Sequence, residues 1–396
     1  MQRLRALAEG RVPVDLSIQE VNTLRDLRAF VRFPNKLYKG SPYWVPALFV
    51  EEYQMFRRDR NPAFEGCEAR YWLARRGREI VGRIAAIYSR TYVEKWKQPY
   101  MRFGWVDFVD DPKVSAALFE KVETWAREKH LSAVHGPLGF TDLDREGMLV
   151  EGFEELGTLV TIYNYPYYPV HLEQLGYTKG VDWVEYELAV PPEPNATIAR
   201  IASLAARRYK LRLLRVPNKR ALLRPRTNKG LPSYARQVFD VVNDEYEHLY
   251  GVVPLTERQV DYYVGIYFNL ISLPFVPLVV DEDDRVVAFG ITMPSFSKAL
   301  QKSGGRLLPF GFVHLLRALR KGDRADLYLV AVRSEYQGKG VNAILMNEIN
   351  QVFARRGIVK VESNPELETN QDVQGQWKYY DSRQHKRRRC FIKHLS

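Results

Sequence analysis

The chain has 396 residues, of which 46% are hydrophobic and 27% are charged. Such a chain buries enough apolar surface to offset the entropy of folding, which excludes a fibrous protein, a small disulfide-stapled protein and wholesale disorder. Lys and Arg number 59 against 47 Asp and Glu, which gives a formal net charge of +12. This excess predicts an anionic partner: phosphate groups, nucleic acid or a lipid surface.

The basic residues are concentrated in two segments. Residues 200–229 hold eleven Lys and Arg and no acidic residue, and residues 383–393 hold six more. Each segment is either a solvated basic face or a binding patch for an anion, and the sequence leaves both interpretations open.

Cysteine and histidine usage argues against structural crosslinks. Cys67 and Cys390 lie far apart, and the seven His show no ligand spacing, so we predict neither a disulfide framework nor a metal site. Residues 1–9 lack the apolar core of a signal peptide. Residues 262–280 carry no charge, but Gly and Pro interrupt them, which favours helix, turn and strand over a membrane span. We therefore expect a cytoplasmic protein.

The first half of the chain reads as an α/β unit. Apolar runs predict strands, and a helix begins at Pro112 behind the capping residue Asp111, because Val114, Leu118, Val122 and Trp125 follow helical spacing. The predicted strands are residues 70–74, 80–88, 101–109, 131–135 and 183–188.

The second half repeats the order of strand, helices, hairpin, strand, helix and strand. The prolines in residues 190–195 separate the halves, so we predict two domains, residues 1–190 and 191–396, each a mixed central sheet flanked by helices. The predicted strands are residues 210–216, 277–281, 286–292, 326–332, 358–362 and 389–393, and the predicted helices include residues 234–249 and 257–269.

One motif in the second half carries a recognisable chemistry. An apolar strand ending at Val332 runs into a loop with Gly338 and Gly340, and a helix follows. Glycines let backbone amides turn inward, and the helix start adds positive partial charge, so the expected ligand is a diphosphate.

Two nucleotide-binding motifs compete for this loop. A P-loop fails because Arg333 stands where Gly is required and Gly340 where Ser or Thr is required. The dinucleotide pattern GxGxxA fits Gly338, Gly340 and Ala343, but too few residues remain after Glu362 to complete that fold.

The loop instead resembles motif A of the GNAT superfamily of acyl-CoA-dependent N-acyltransferases. The family's Gln/Arg-x-x-Gly-x-Gly/Ala run is matched by Gln337 and Gly340, with Asn342 replacing Gly or Ala. The turn at residues 175–177 is similar to the family's "LGF" ending, so the chain resembles bacterial tandem-GNAT proteins. The resemblance implies acetyl-CoA or another acyl-CoA as donor, an amine as acceptor, and these donor-binding residues: Val330, Val332, Gln337, Gly338, Lys339, Gly340, Val341, Asn342 and Asn370.

The resemblance also suggests catalytic residues. Trp377 occupies the family's usual Tyr position, which leaves Tyr379 and Tyr380 as candidates for the general acid. Glu245 and His248, near the expected substrate wall, are candidates for the base. In the first half, residues 108–113 lack glycine and carry two acids, so we expect that domain to be a degenerate GNAT unit without CoA.

Two other functions remain open. A non-catalytic GNAT-like protein would bind RNA or an anionic membrane through the basic segments, and a Fem-like aminoacyl transferase would use charged tRNA. Residues 298–323, an insertion before the motif strand, combine apolar bulk with cations, which fits either an interfacial helix or ordinary core packing.

Overall fold

The computed structural model describes residues 15–193, 195–225, 229–268 and 270–396. Across this part of the chain the strands form one continuous mixed sheet, with the order β1-β2-β3-β4-β5-β14-β7-β12-β11-β10-β9-β8. Two short strands lie off this path, since β6 pairs with β14 and β13 pairs with β7.

The first half supplies the antiparallel strands β1 to β4 and then β5, which runs parallel to β4. Its strands are β1 (Leu16–Glu20), β2 (Cys67–Arg76), β3 (Glu79–Ser89), β4 (Tyr100–Phe108), β5 (Ala133–Gly136), β6 (Met148–Glu151) and β7 (Thr178–Ala189). Its helices are α1 (Leu24–Leu37), α2 (Phe49–Met55), α3 (Arg90–Trp96), α4 (Pro112–Glu128) and α5 (Tyr167–Gln174).

The second half repeats this arrangement, with β11 running parallel to β12. Its strands are β8 (Arg212–Leu213), β9 (Leu278–Val280), β10 (Val286–Pro294), β11 (Arg324–Val332), β12 (Lys360–Glu362), β13 (Glu366–Leu367) and β14 (Ser382–His394). Its helices are α6 (Ala196–Arg208), α7 (Tyr234–Tyr246), α8 (Glu257–Tyr267), α9 (Ser297–Ser303), α10 (Gly311–Lys321), α11 (Val341–Arg356) and α12 (Gln371–Gln374).

The two halves exchange their last strands. β14, from the end of the chain, pairs with β5 of the first half, where Phe391 lies opposite Gly136. β7 pairs in turn with β12 of the second half, where Leu188 lies opposite Val361. Phe391 is buried in the apolar core of the first half and Leu188 in that of the second, so each core is completed by the other half. The predicted boundary at residue 190 falls in the connection between β7 and α6.

Local capping explains the helix at Pro112. The Asp111 side chain accepts a hydrogen bond from the Lys113 N–H, and Pro112 occupies the first turn, where its missing N–H costs nothing. The predicted apolar face is buried: Val114, Leu118, Val122 and Trp125 lie against the first-half sheet. Helical spacing therefore predicted this element correctly.

Several predicted elements have different lengths in the structure. The strand predicted at residues 210–216 is only Arg212–Leu213, and the helix predicted to reach residue 249 ends at Tyr246. Residue 269, the predicted end of the next helix, lies outside the described residues. The last strand is longer than predicted because its charged residues pair with acids on β7: Arg389 with Asp182, and Arg383 with Glu187.

Candidate functional site

A large cavity lies where β11 and β12 separate. The two strands are paired only from Arg324–Lys360 to Asp326–Glu362, and beyond that point they diverge. β11 also carries a bulge, because Leu329 pairs with Ile291 and Leu327 with Thr292, which leaves Tyr328 without an opposite residue. The resulting cavity has a volume of about 290 Å³.

The cavity wall is largely apolar and comes from both halves of the chain. The second half contributes β10, β11, α7 and α8, and the first half contributes Trp183 and the loop of residues 142–146. In the first half, the cavity next to β4 has a volume of about 50 Å³. Trp105 of β4 lines this smaller cavity, and its ring packs on Phe56 and Phe140.

The loop between β11 and α11 presents a row of free backbone amides. Gly338 and Gly340 adopt left-handed backbone conformations, with φ of 68° and 76°. Within the described residues, no acceptor takes the N–H groups of residues 338–342, which include the start of the 16-residue helix α11. Free amides at a helix start are suited to a phosphate group.

Glu245 fixes this loop from the end of α7. Its carboxylate accepts hydrogen bonds from the Ser334 N–H and hydroxyl, at 2.9 and 2.7 Å, and from Gln337 Nε2 at 3.0 Å. Gln337 Nε2 also donates to the Val332 carbonyl, at 2.9 Å. These bonds hold the glycine loop in one conformation against the end of β11.

A basic helix packs beside the loop. Ala202 and Ala205 of α6 share an apolar cluster with Val341, and a Cβ at Gly340 would approach Ile201 to 2.8 Å. The exposed residues Arg207 and Arg208 end this helix. Other cations of the basic segment are paired with acids instead: Lys210 with Glu282, Arg212 with Asp284, and Arg215 with Glu348. The predicted patch is therefore partly neutralised.

Carboxyl groups from the first half enter the second-half cavity. Asp144 is fixed by the Phe140 and Thr141 N–H groups, and Thr141 shares a hydroxyl hydrogen bond with Tyr263 of α8. Asp142 and Glu146, on either side of Asp144, line the cavity and have no ion-pair or hydrogen-bond partner among the described residues. Carboxyl groups without a partner in an apolar wall are suited to a cationic ligand.

Burial controls how these carboxyl groups ionise. Desolvation raises the pKa of Asp142 to about 6, against the opposing attraction of Arg102. It raises the pKa of Glu146 further, because the neighbouring Asp142 adds repulsion. Repulsion between the two carboxylates therefore opposes their simultaneous ionisation.

Two tyrosines mark the cavity at β11. The Tyr246 hydroxyl donates to the Val330 carbonyl at 2.9 Å, which satisfies a backbone group next to the gap between the strands. The Tyr328 hydroxyl is buried at the cavity and has no hydrogen-bond partner among the described residues. Its pKa lies well above the ordinary value because of desolvation, so this hydroxyl remains protonated.

The structure brings together only some of the residues suggested by the sequence. Val330 and Asn370 line the cavity, and Val332 leads into the amide loop. The loop itself contains Gln337, Gly338, Lys339, Gly340, Val341 and Asn342. Lys339 stacks over the Tyr209 and Tyr336 rings. Asn342 Nδ2 donates to Gln376 Oε1 at 2.7 Å.

The suggested acid and base residues lie away from the cavity wall. Tyr379 is 44% exposed and His248 is also exposed. The Tyr380 hydroxyl accepts from Asn350 Nδ2, at 2.9 Å, behind α11. Glu245 is engaged by the glycine loop. The sequence analysis did not select Asp142, Glu146 or Tyr328, although the alternating acids of residues 142–146 were a visible signal.

The loop after β4 in the first half has a different structure. Asp111 caps α4 through the Lys113 N–H and pairs with Arg76, and Asp110 faces His171 Nε2 at 3.0 Å. The amide positions that would face a phosphate are thus occupied by carboxylates. Binding of a diphosphate by the second half alone stays a prediction.

A buried ionic cluster lies where the exchanged strands meet. Glu185, Glu362 and His385 place one potential ligand atom each within 4.8 Å of one another. The Lys386 ammonium bonds Glu362, and Arg388 bonds Glu185. These two cations neutralise the carboxylates that a metal ion would need.

The chain is similar to known proteins of the GNAT acetyltransferase family. Residues 236–382 match the family model described as "Acetyltransferase (GNAT) family". The chain is 28% identical to "Protein YghO" of Escherichia coli (strain K12), over 93% of each chain, and 27% identical to "Bacterial ceramide synthase" of Caulobacter vibrioides, over 82% of each. A solved tandem GNAT protein from the clavulanic acid biosynthesis pathway is similar over 96% of this chain and 98% of its own, with a TM-score of 0.55 and 11% identity.

Proposed function

The chain has a tandem GNAT fold, and on this premise we propose that it transfers a long acyl group from acyl-CoA to the amino group of an amphiphilic amine. The observation that carries the proposal is an apolar cavity with two unpaired carboxyl groups, lined by β11, the strand that leads into a row of free amides. Each part corresponds to one part of the reaction: acyl chain, CoA diphosphate and amine.

The donor is expected to lie along the gap between β11 and β12. Its diphosphate would accept hydrogen bonds from the amides of residues 338–342, and Arg207 and Arg208 would attract its remaining phosphate charge. The thioester would then lie beside β11, whose backbone has no strand partner towards β12 beyond Asp326. A free strand amide there would polarise the thioester carbonyl.

The acceptor is inferred from the cavity chemistry. An ammonium group would pair with the Asp142 carboxylate, and an attached hydrocarbon chain would contact Phe239, Val264 and the other apolar side chains of the wall. A ceramide is an amide of a fatty acid with a long-chain amino alcohol. The relative named bacterial ceramide synthase therefore supports an acceptor of this amphiphilic class.

Two residues of the cavity would accept and donate the protons that the reaction moves. Asp142, whose pKa is about 6, would take a proton from the ammonium group, which frees the amine to attack the thioester carbon. The new C–N bond forms as the C–S bond breaks, and the leaving thiolate needs a proton. The Tyr328 hydroxyl, which has no hydrogen-bond partner among the described residues, would relay it: the hydroxyl gives its proton to the sulfur and regains one from the attacking nitrogen.

The test is a product analysis of the purified protein. We expect incubation with palmitoyl-CoA and a long-chain amino alcohol to release free CoA and to form one N-acyl amide per CoA, measured by mass spectrometry. Acetyl-CoA and an amine without an alkyl chain serve as matched comparisons. CoA release without amide formation across long-chain amines would contradict the proposal, as would a preference for acetyl-CoA.

A further inference from the structure

The insertion at residues 298–323 forms a cationic hairpin of helices. It contains most of α9, and all of α10, which follows a loop at residues 304–310. It carries six Lys and Arg (Lys298, Lys302, Arg306, Arg317, Arg320 and Lys321), and its first acidic residue is Asp323. None of these six cations forms an ion pair with the described residues. The insertion therefore keeps its full positive charge.

The same segment exposes large apolar side chains. Leu308 and Phe310 are 76% and 72% exposed at the tip of the loop, and Phe312, Val313 and Leu316 are exposed along α10. Large apolar side chains grouped so closely on a surface mark a contact with another apolar phase or partner.

The opposite side of the insertion is anchored next to the cavity. Leu300 and Leu315 are buried in an apolar cluster with Met293 and Tyr328. Met293 and Tyr328 also line the cavity. The exposed apolar face and the cavity are therefore separated by one layer of side chains.

Charge decides which partner fits this surface. A second copy of the chain would bring six unpaired cations against six more, which disfavours self-association through this face. An anionic bilayer offers both complementary features, since its hydrocarbon accepts Leu308 and Phe310 while its headgroups attract Arg317 and Arg320.

We propose that the insertion is a membrane-docking device, which places Leu308, Phe310 and Phe312 in the interface of an anionic lipid bilayer. Among the described helices, none is both long and apolar enough to cross a membrane. The attachment is thus peripheral, and it combines an apolar contact with an electrostatic one. It brings the cavity close to a lipid surface. The proposal does not depend on the acyl-transfer reaction.

The test is flotation of the full-length protein with lipid vesicles. We expect binding to vesicles of equal parts phosphatidylcholine and phosphatidylglycerol, and much weaker binding to pure phosphatidylcholine. The double variant Arg317→Gln/Arg320→Gln should lower the partition coefficient on anionic vesicles by roughly thirty-fold, because each cation near such a surface contributes about 1 kcal/mol. Phe310→Ser/Phe312→Ser should also reduce binding to anionic vesicles.

Matched variants elsewhere on the surface serve as controls. Arg25→Gln/Arg78→Gln removes two exposed cations, and Leu24→Ser/Val170→Ser removes two exposed apolar side chains, all outside the insertion. These four changes should leave flotation unchanged. Equal binding of wild type to neutral and anionic vesicles would overturn the proposal. So would unchanged flotation of the insertion variants, or a dimer in light scattering that Phe310→Ser/Phe312→Ser dissociates.

Discussion

Thr141 of the first half and Tyr263 of the second half share a hydrogen bond of 2.5 Å between their hydroxyl groups. This contact fixes the acidic loop of residues 142–146 at the wall of the second-half cavity. This loop therefore joins the two halves, in addition to the exchanged strands β7 and β14. The candidate site belongs to the whole chain and not to one domain.

A negative charge at Gly338 should weaken CoA binding. Gly338 has φ of 68°, and a Cβ built there meets no atom within 4 Å, so a side chain fits without a clash. In Gly338→Asp, the carboxylate would repel the diphosphate by about 1 kcal/mol in a water-like medium and by about 4 kcal/mol at an effective dielectric of 20. We expect CoA affinity, measured by calorimetry, to fall at least about fivefold.

The matched control is Gly338→Asn. Asn has nearly the same shape and tolerates positive φ, so the two variants differ mainly in charge. CoA binding to Gly338→Asn should remain within a few-fold of wild type. Equal affinity of the Asp and Asn variants would show that the diphosphate does not lie at this loop.

Glu245→Gln should distinguish a catalytic base from a residue that positions the loop. Glu245 accepts three hydrogen bonds from Ser334 and Gln337, so its replacement by an amide loses charge-assisted bonds worth about 1.5 to 3 kcal/mol each in favourable cases. We expect weaker CoA binding with kcat at saturating acyl-CoA nearly retained. A large loss of kcat with unchanged CoA affinity would identify Glu245 as the base instead.

The affinity for the amine should depend on pH through Asp142. Its pKa is about 6, so the carboxylate is charged above that pH and becomes neutral as the pH falls through it. We expect the KM of the amine to rise below about pH 6, while the affinity for CoA changes little. Asp142→Asn should raise that KM roughly ten- to hundredfold at neutral pH and remove the pH dependence. Glu94→Gln, at an exposed and unpaired acid, should do neither.

Asp326→Asn should stabilise the protein at alkaline pH. Burial, with repulsion from Glu362 as a second cause, raises the pKa of Asp326 from 3.8 to about 8. A raised pKa means that the stabilising contribution is complete below the unfolded pKa and is lost as pH rises through about 8. The variant, which resembles the protonated acid, should gain stability over wild type by at most about 1.4 kcal/mol per pH unit between about pH 4 and pH 8.

Urea unfolding at a series of pH values measures this difference. Asp323→Asn, an exposed acid at the start of the same strand, provides the control and should show no such trend. A constant difference between Asp326→Asn and wild type across the pH range would mean that Asp326 is already ionised in the folded protein.

The sequence predicted the elements that depend only on residues close together in the chain. Helical spacing and the Asp111 cap predicted α4, and the glycines at 338 and 340 predicted the turn that exposes the amides of α11. The exchange of β7 and β14 could not be predicted, because it depends on partners nearly two hundred residues apart in sequence. The charged strand β14 in particular becomes favourable only opposite the acids of β7.

The cavity acids were missed for the same reason. Asp142 and Glu146 lie in a first-half loop, and their role depends on the position of that loop against α8 of the second half. The family resemblance indicated His248, near the expected substrate wall, and Tyr379, near the usual Tyr position, and the fold leaves both exposed. The site is formed by residues that lie close in space but far apart in sequence.

We expect the cavity shared by both halves to bind an amphiphilic ammonium ion. The most direct measurement is calorimetric titration with dodecylamine and with dodecanol, its neutral counterpart, in the presence of saturating CoA. We predict that dodecylamine binds at least about tenfold more tightly, and that Asp142→Asn/Glu146→Gln removes this preference. Equal affinity for the amine and the alcohol in the wild-type protein would contradict the claim.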